Sequence, residues 1–291
     1  MKISISQFAA AALVVGSISV GSDARGAVSY TGSYNSMSTG SIDGQQGWSA
    51  TNASVDQHVV NISAGHNVFQ MSNAYGSGSF SDYPIGPGLD PAGEPATGAS
   101  YNNFQMSLDF QSATGAAQAG LFIGVGPATT TNAAERQGTF FIYDNSGHGL
   151  NAIWQDFSGG AYQNHLVATD LSYTGAHSLT ASITFVAGAN NDVVNVSVDG
   201  SPVGTFTDYE SSYGAAVPAN TVLFKTFPGY DASSLGGNDA TIIGNGLYFD
   251  NLSYSVSNVP EPASIVLWLT TAGCGAVGAF ARRRKAVQRG C

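Results

Sequence analysis

The chain has few cysteines and little positive charge. Its two cysteines, Cys274 and Cys291, stand near the C-terminus, so residues 27–258 have no thiol for a disulfide, a thiolate metal site or a cysteine nucleophile. Two basic residues, Arg136 and Lys225, oppose seventeen acidic ones in this body, which gives a formal charge of 2 − 17 = −15. Because a phosphate backbone is bound by clustered cations, this composition excludes nucleic acid as a partner. Such acidity favours solubility, and loose cation binding is the alternative.

Recognised catalytic motifs are also absent. The sequence has no G-x-S-x-G, H-E-x-x-H or G-x-x-x-x-G-K. The five histidines stand singly and are predicted to be surface or turn residues: His58, His66, His148, His165 and His177. No catalytic residue is therefore predicted, and a site assembled from residues distant in sequence stays the alternative.

The N-terminus has the features of a secretory signal. Lys2 precedes an uncharged run, residues 3–21, and Ala24 and Gly26 are small residues at the spacing that signal peptidase reads. The pattern predicts a signal peptide over residues 1–26, removed by signal peptidase. A retained membrane anchor is the alternative, although the strongly apolar part is short for a span.

The C-terminus has the features of a membrane span. Residues 263–281 carry no charge and, at about 1.5 Å per residue in a helix, are long enough to cross a hydrocarbon core. A basic stop follows: Arg282, Arg283, Arg284 and Lys285. Since cationic flanks stay cytoplasmic, residues 286–291 are predicted to form a cytoplasmic tail, with the body across the membrane. A buried core helix is the alternative.

The motif Val259-Pro260-Glu261-Pro262, the uncharged segment and the basic cluster together resemble a PEP-CTERM sorting signal over residues 259–285. The prolines disfavour helix, so the motif is expected to be extended and accessible. The resemblance implies that Val259, Pro260, Glu261 and Pro262 are read by an exosortase. It also implies an exported protein that is held at the inner membrane with its body in the periplasm. After processing, the protein is expected at the cell surface or in the extracellular matrix.

Alternation of apolar and polar residues dominates residues 27–258. In "NFQMSLDF" and "HSLTASITFV" every second residue is apolar, which is the period of a half-buried strand. Asp199-Gly200 between two such runs predicts a hairpin. At least eight strands and no amphipathic helix predict one all-β domain, an antiparallel two-sheet sandwich of the jelly-roll type. An immunoglobulin-like sandwich and a β-solenoid are the alternatives, and residues 73–98 are expected to form the longest loop.

Several short segments, among them "SIDGQQGWSA", "VNVSVDGSPVGTF" and "YFDNLSYS", are similar to exported bacterial proteins of the concanavalin A-like, laminin-G-like class. That class includes sugar-binding modules and glucanases. The glucanases carry paired carboxylates in an E-x-D-x-E pattern, which is absent here. We therefore expect a non-catalytic envelope or matrix protein that binds extracellular polysaccharide or has a structural role. The alternative is a secreted glycoside hydrolase or polysaccharide lyase of the same class.

The segment "IWQDFSGGAYQNH" contains the candidate ligand-binding residues. Sugar rings stack on exposed aromatic side chains while amides and carboxylates bind their hydroxyl groups. This predicts a carbohydrate site that includes Trp154, Gln155, Asp156 and Tyr162. Alternation also allows Trp154 to face inward, and core packing is the alternative for it and for Trp48.

Asp250 is the candidate metal ligand. Strict alternation in the last strand places Asp250 on the face of Leu252 and Tyr254, and a carboxylate among apolar neighbours needs a partner. Resemblance to laminin-G-like domains implies a structural calcium ion at this position, with Asp43 or backbone oxygens as co-ligands. The alternative is an aspartate that is hydrogen-bonded to backbone amides at a bulge.

Overall fold

The computed structural model describes residues 27–50, 57–72, 83–89, 101–129, 137–186, 191–213, 219–226 and 244–257. The predicted signal peptide, the sorting signal with its membrane span, and most of the predicted long loop lie outside these residues. Within these ranges no helix is long and apolar enough to cross a membrane. The helical elements described are a single 3-10 turn, Tyr34–Ser36, and a short helix α1, Glu210–Tyr213.

Sixteen strands make up the rest of the regular structure within the described ranges. In chain order they are β1 (Val28–Thr31), β2 (Gly40–Ser41), β3 (Ser49–Ala50), β4 (Gln57–Ser63), β5 (His66–Met71), β6 (Pro84–Ile85), β7 (Asn103–Ser112), β8 (Phe122–Ala128), β9 (Thr139–Asp144), β10 (Leu150–Ser158), β11 (Ala161–Leu171), β12 (His177–Thr184), β13 (Val193–Val198), β14 (Ser201–Phe206), β15 (Thr221–Thr226) and β16 (Leu247–Ser257).

The strands form two antiparallel sheets. Sheet A has nine strands in the order β14-β13-β12-β7-β16-β5-β4-β2, with β1 also paired to β16. Sheet B has seven, in the order β11-β10-β9-β8-β15-β6-β3. Strands distant in sequence are neighbours, as where β16 pairs with β7, so the chain passes repeatedly between the sheets. The predicted all-β antiparallel sandwich is confirmed.

The hydrophobic core lies between the sheets and takes one face of each. Phe104 and Phe110 of β7 are at most 1% exposed, as the alternation of that segment predicts. From sheet B, the Phe224 ring lies 5.2 Å from the Phe69 ring and 4.8 Å from the Phe249 ring of sheet A, in edge-to-face contacts. Burying each such ring contributes about 1.5–3 kcal/mol. The aromatic contacts therefore fasten one sheet to the other.

Candidate functional site

The central strands of sheet B bury both of their faces. Phe140 and Trp154 belong to the core between the sheets, whereas Phe122, Phe141 and Ile153 form a separate apolar cluster. Phe140 and Phe141 are consecutive in β9, so these clusters lie on opposite sides of the sheet. We call the side with Phe122, Phe141 and Ile153 the outer face of sheet B. A face turned away from the core that is still apolar is a natural place for a site.

Strand register places Lys225 and Tyr143 on this outer face. Lys225 of β15 pairs with Gly124 of β8, and Gly124 pairs with Phe141 of β9. Tyr143 pairs with Phe122, two residues away along β8. Because paired residues point to the same side, all five positions share the outer face. Strand spacing and rise give about 12 Å between the Cα atoms of Lys225 and Tyr143.

Gly124 leaves a gap between the strands that carry these residues. Glycine has no side chain, so β8 places nothing between Lys225 and Phe141 in their row. Lys225 is half-buried, and it is the one Lys or Arg among the described residues. The outer face thus combines a positive charge with aromatic side chains.

The Tyr143 phenol has a fixed hydrogen-bond partner. Asn151 of β10 donates from Nδ2 to the Tyr143 hydroxyl at 3.1 Å. The Asn151 Oδ1 atom accepts the backbone N–H of Asp170 at 3.0 Å. Asn151 is 5% exposed, so its amide is held by the protein rather than by solvent. This arrangement orients the phenol.

Amide and phenol groups continue along the outer face toward the end of β10. Gln155 donates from Nε2 to Asn164 Oδ1 at 2.8 Å and accepts the Tyr209 hydroxyl at 2.8 Å on Oε1. Tyr209 is fully buried, whereas Tyr162 is 52% exposed. The Tyr162 ring lies 5.4 Å from the Tyr209 ring in an edge-to-face contact. These groups can bind sugar hydroxyls and stack on a sugar ring.

The four predicted ligand-binding residues fall on two sides of sheet B. Gln155 and Tyr162 lie on the outer face, where the sequence analysis expects a carbohydrate site. Trp154 is 0% exposed, and its Nε1 donates to the Thr207 carbonyl at 3.0 Å. Its ring is therefore part of the core, which agrees with the alternative interpretation and does not fit contact with a ligand. Asp156 is 2% exposed and pairs with His165.

Among the described residues, His165 is one of three histidines whose ring nitrogens contact aspartate carboxylates. Its Nε2 atom lies 2.9 Å from Asp156 Oδ2, on the side opposite Gln155 and Tyr162. Asp156 also accepts the Thr207 N–H at 3.3 Å. The prediction that the histidines are isolated surface or turn residues missed this pairing, because the partners come from different strands.

Asp250 does not lie on the face that alternation predicts, and that prediction is wrong. A bulge at Asn251, with φ 49°, shifts the register of β16 between Asp250 and Ser253. Phe249 and Leu252 therefore both point into the core, and Asp250 points outward with its side chain 24% exposed. A one-residue insertion exchanges the faces of every residue beyond it.

Both predicted metal ligands already have protein partners. Asp250 Oδ2 lies 2.7 Å from His66 Nε2, and Asp250 Oδ1 accepts the Asn251 N–H at 2.8 Å. Asp43 Oδ1 accepts the Ala50 N–H at 2.8 Å. The bulge and the backbone bond to Asp250 match the alternative interpretation. A calcium ion shared by Asp250 and Asp43 stays a prediction.

The outer face of sheet A holds a groove of about 610 Å³. Its polar lining comes mainly from short side chains, such as Ser107, Thr180, Ser182 and Asn195. No carboxylate, imidazole or amine lines it among the described residues. It can accept hydrogen bonds but offers little for acid–base chemistry, so the outer face of sheet B is the stronger candidate.

Sequence reasoning missed Lys225, Tyr143 and Asn151 as members of one site. The signal for Lys225 was its rarity, since it is one of two basic residues in the body. Tyr143 begins a segment, "YDNSGHG", that indicates a turn. The two residues are 82 positions apart, and only the placement of β8 between β9 and β15 brings them to one surface.

No protein-family model matches this sequence, and no curated protein matches it. Among solved structures, a variant of alginate lyase Aly36B in complex with an alginate trisaccharide has TM-score 0.50 at 12% identity, over 79% of this chain and 98% of that chain. The lectin UEA-II complexed with galactose has TM-score 0.43 at 12% identity, over 80% and 99%. The β-glucanase of Bacillus licheniformis has TM-score 0.42 at 12% identity, over 79% and 98%. At 12% identity, the likeness to the structure with TM-score 0.50 shows a shared fold.

The prediction of a body without enzymatic activity is contradicted by the first of these structures. The structure with TM-score 0.50 is that of an alginate lyase that holds an oligosaccharide of alginate. A sandwich of this kind therefore accommodates catalysis on polysaccharides. The prediction rested on the absence of two carboxylates on one strand, whereas the outer face of sheet B draws its polar groups from β9, β10 and β15.

Proposed function

We propose that this protein is an exported polysaccharide lyase that cleaves a uronate-containing polymer on the outer face of sheet B. The observation that carries the proposal is the placement of Lys225 and Tyr143 on one surface, about 12 Å apart between Cα atoms. A half-buried cation and an oriented phenol are suited to a substrate that carries a carboxylate. The fold of an alginate lyase supports the same class of substrate.

The chemistry is a β-elimination. A base removes the proton on the carbon next to the sugar carboxylate, the bond to the glycosidic oxygen breaks, and a carbon–carbon double bond forms between the two carbons. The leaving oxygen takes up a proton. Acid–base groups in such a step contribute about 10²–10⁴-fold in rate. Lys225 would neutralise the carboxylate, which makes the neighbouring proton more acidic. Tyr143, as the phenolate, would take that proton from carbon and pass it to the leaving oxygen.

The neighbouring amides have positioning roles in this proposal. Asn151 holds the Tyr143 hydroxyl through its 3.1 Å hydrogen bond. Gln155 and the exposed Tyr162 lie farther along the same face and would bind an adjacent sugar unit through hydrogen bonding and stacking. A bound polymer would therefore contact groups from β9, β10, β11 and β15.

Glycoside hydrolysis is less well supported by the same surface. It requires two carboxyl groups, roughly 5–10 Å apart, on either side of the glycosidic bond. The registered strand residues of the outer face of sheet B that the structure describes include no Asp or Glu. The candidate acid–base group of this face is a phenol rather than a pair of carboxyl groups. The surface therefore favours elimination over hydrolysis.

The test separates elimination from hydrolysis by product. The full-length protein, kept in mild detergent, is incubated with alginate and, as a control, with a neutral β-glucan. We expect alginate fragments that absorb in the ultraviolet, because each elimination leaves an unsaturated sugar at the new non-reducing end. New reducing ends without that absorbance would contradict the proposal, as would the absence of cleavage.

Export and sorting form the second part of the proposal, and it lies outside the described residues. The PEP-CTERM resemblance of residues 259–285 supports a periplasmic body that is released by an exosortase. In an exosortase-bearing host, Glu261→Ala should leave a full-length membrane form, which an antibody against the body detects. Unchanged processing of that variant would count against the assignment.

A further inference from the structure

Three buried acidic residues meet beside the segment that runs from sheet A to sheet B. Asp192 precedes β13, Asp208 follows β14, and Glu210 begins α1. One carboxylate oxygen of each lies within 4.8 Å of the other two. The residues are 3%, 2% and 3% exposed, in that order. Such a group of carboxylates, withdrawn from water, requires a compensating charge or protons.

Each aspartate has one satisfied and one unsatisfied oxygen. Asp192 Oδ1 accepts the Val186 N–H at 2.6 Å, and Asp208 Oδ1 accepts the Glu210 N–H at 2.8 Å. The two Oδ2 atoms are buried and accept no hydrogen bond from an N–H or hydroxyl group of the described part of the chain. The two carboxyl groups can hydrogen-bond to each other only when Asp208 carries a proton. The backbone thus fixes both carboxylates and leaves a free oxygen on each, which is how ligands of a cation are held.

The described residues supply no positive side chain to these aspartates. Their ion pairs involve His66, His165 and His177, and none includes Asp192 or Asp208. Burial raises the pKa of Asp208 to about 8, and the adjacent Asp192 adds to the effect. Burial also raises the pKa of Asp192. The protein by itself therefore tolerates two negative charges poorly at this position.

We infer that Asp192, Asp208 and Glu210 form a binding site for a divalent cation, with Ca²⁺ the preferred ion. Carboxylate oxygens without any nitrogen or sulfur ligand select hard cations. Ca²⁺ accepts a flexible set of six to eight oxygens, so backbone carbonyls and water can complete its shell, whereas Mg²⁺ demands near-ideal octahedral geometry. This site is distinct from the one predicted at Asp250 and Asp43.

The ion would hold the segment 207–210 against Asp192, the residue before β13. That segment also contacts sheet B, where Phe157 N–H donates to the Asp208 carbonyl at 2.9 Å. Tyr209 stands between two of the ligands and donates to Gln155 on the outer face. Cation binding would therefore fasten the edge of sheet A to the end of the candidate site.

The experiment measures calcium binding to the full-length protein after removal of metals by a chelator. Calorimetry with CaCl₂ should show one bound ion per chain, CaCl₂ should raise Tm, and MgCl₂ should act more weakly. Asp208→Asn keeps the acceptor for the Glu210 N–H and can donate to Asp192 Oδ2. In chelator it should therefore unfold at or above the wild-type Tm, while its calcium affinity falls by more than about tenfold.

Two further variants make the result decisive. Asp199→Asn removes an exposed turn carboxylate on the edge of sheet A and should keep the full calcium response, as a matched control. Asp192→Asn should also lose the calcium response. It replaces Asp208→Asn in the test if Asp208→Asn does not fold. No calcium binding by the wild type, an unchanged response in both ligand variants, or loss of the response in Asp250→Asn instead would overturn the inference.

Discussion

The two sheets share one core but have different outer faces. Sheet A alternates, with buried residues inward and short hydroxyl side chains outward, where Ser107 bonds Ser253 at 2.8 Å and Thr180 bonds Ser197 at 2.5 Å. In sheet B, β8 and most of β9 and β10 are buried without alternation. Strands covered on one side alternate, and strands covered on both do not. The chemically varied groups lie on the face where alternation fails.

The comparison predicts that catalysis depends on sheet B. Tyr143→Phe removes the proton-transferring hydroxyl and keeps the ring, so we expect kcat for alginate cleavage to fall by about 10²–10⁴-fold with the fold intact. Lys225→Met should cause a loss of similar size, because the sugar carboxylate would remain unpaired. The matched control is Tyr248→Phe on β16 of sheet A, which should keep full activity. Equal rates of alginate cleavage by Tyr143→Phe and Tyr248→Phe would contradict the assignment of catalysis to sheet B.

More of the fold than of the site could be predicted from the sequence, because alternation is a local signal. It identified the inward residues of β12 and the Asp199-Gly200 hairpin turn between β13 and β14, both of which the structure contains. It failed at Asp250 because the bulge at Asn251 shifts the period, and no residue type marks that bulge. Local patterns do not report which strands become neighbours.

The candidate site depends on that missing information. Lys225 and Tyr143 share one face only because β8 lies between β15 and β9 and pairs with both strands. The carboxylates of Asp192 and Asp208 likewise come together from opposite ends of the β13–β14 hairpin. Pairing between distant strands is set by the whole sandwich. A single sequence therefore shows such residues but does not predict that they are neighbours.

The inner face of sheet B should affect stability rather than binding. Trp154→Ala removes a ring that is 0% exposed and the hydrogen bond to Thr207, so we expect the free energy of unfolding to fall by about 3–5 kcal/mol. Urea titration measures this loss. KM of the folded fraction should not change, because the ring does not reach the outer face. A raised KM with unchanged stability would assign Trp154 to the ligand after all.

The exposed Tyr162 should affect substrate binding. Its ring is 52% exposed beside Gln155, and aromatic stacking is worth about 0.5–1.5 kcal/mol, so Tyr162→Ala should raise KM by up to about tenfold with little change in kcat. Tyr162→Phe keeps the stacking surface and serves as the control. Initial rates over a range of alginate concentrations separate the two constants. A loss confined to kcat would contradict a binding role.

An ion pair at the edge of sheet A should give a smaller, pH-dependent effect. Partial burial works to raise the pKa of Asp199, but hydrogen bonds from His177 and the Ser178 N–H, with the charge of His177, lower it overall. A lowered folded-state pKa stabilises the protein above the unfolded value, about 3.9, and this contribution is lost as pH falls through the folded value. Asp199→Asn should cost under about 1 kcal/mol near neutral pH and nothing in strong acid. If the difference in unfolding free energy between wild type and Asp199→Asn instead grew as pH fell, the predicted direction of the pH dependence would be wrong.

The groove of sheet A should tolerate change best, which sharpens the contrast between the two faces. Ser182 lines that groove, and the described lining contains no carboxylate, imidazole or amine. Ser182→Gln partly fills the groove with a longer polar side chain. Because the change is at a surface position, we expect stability to stay within about 0.5 kcal/mol and alginate cleavage to stay unchanged. If cleavage fell instead, the polymer would lie along the hydroxyl side chains of sheet A, and the phenol and amine of sheet B would lose their assigned roles.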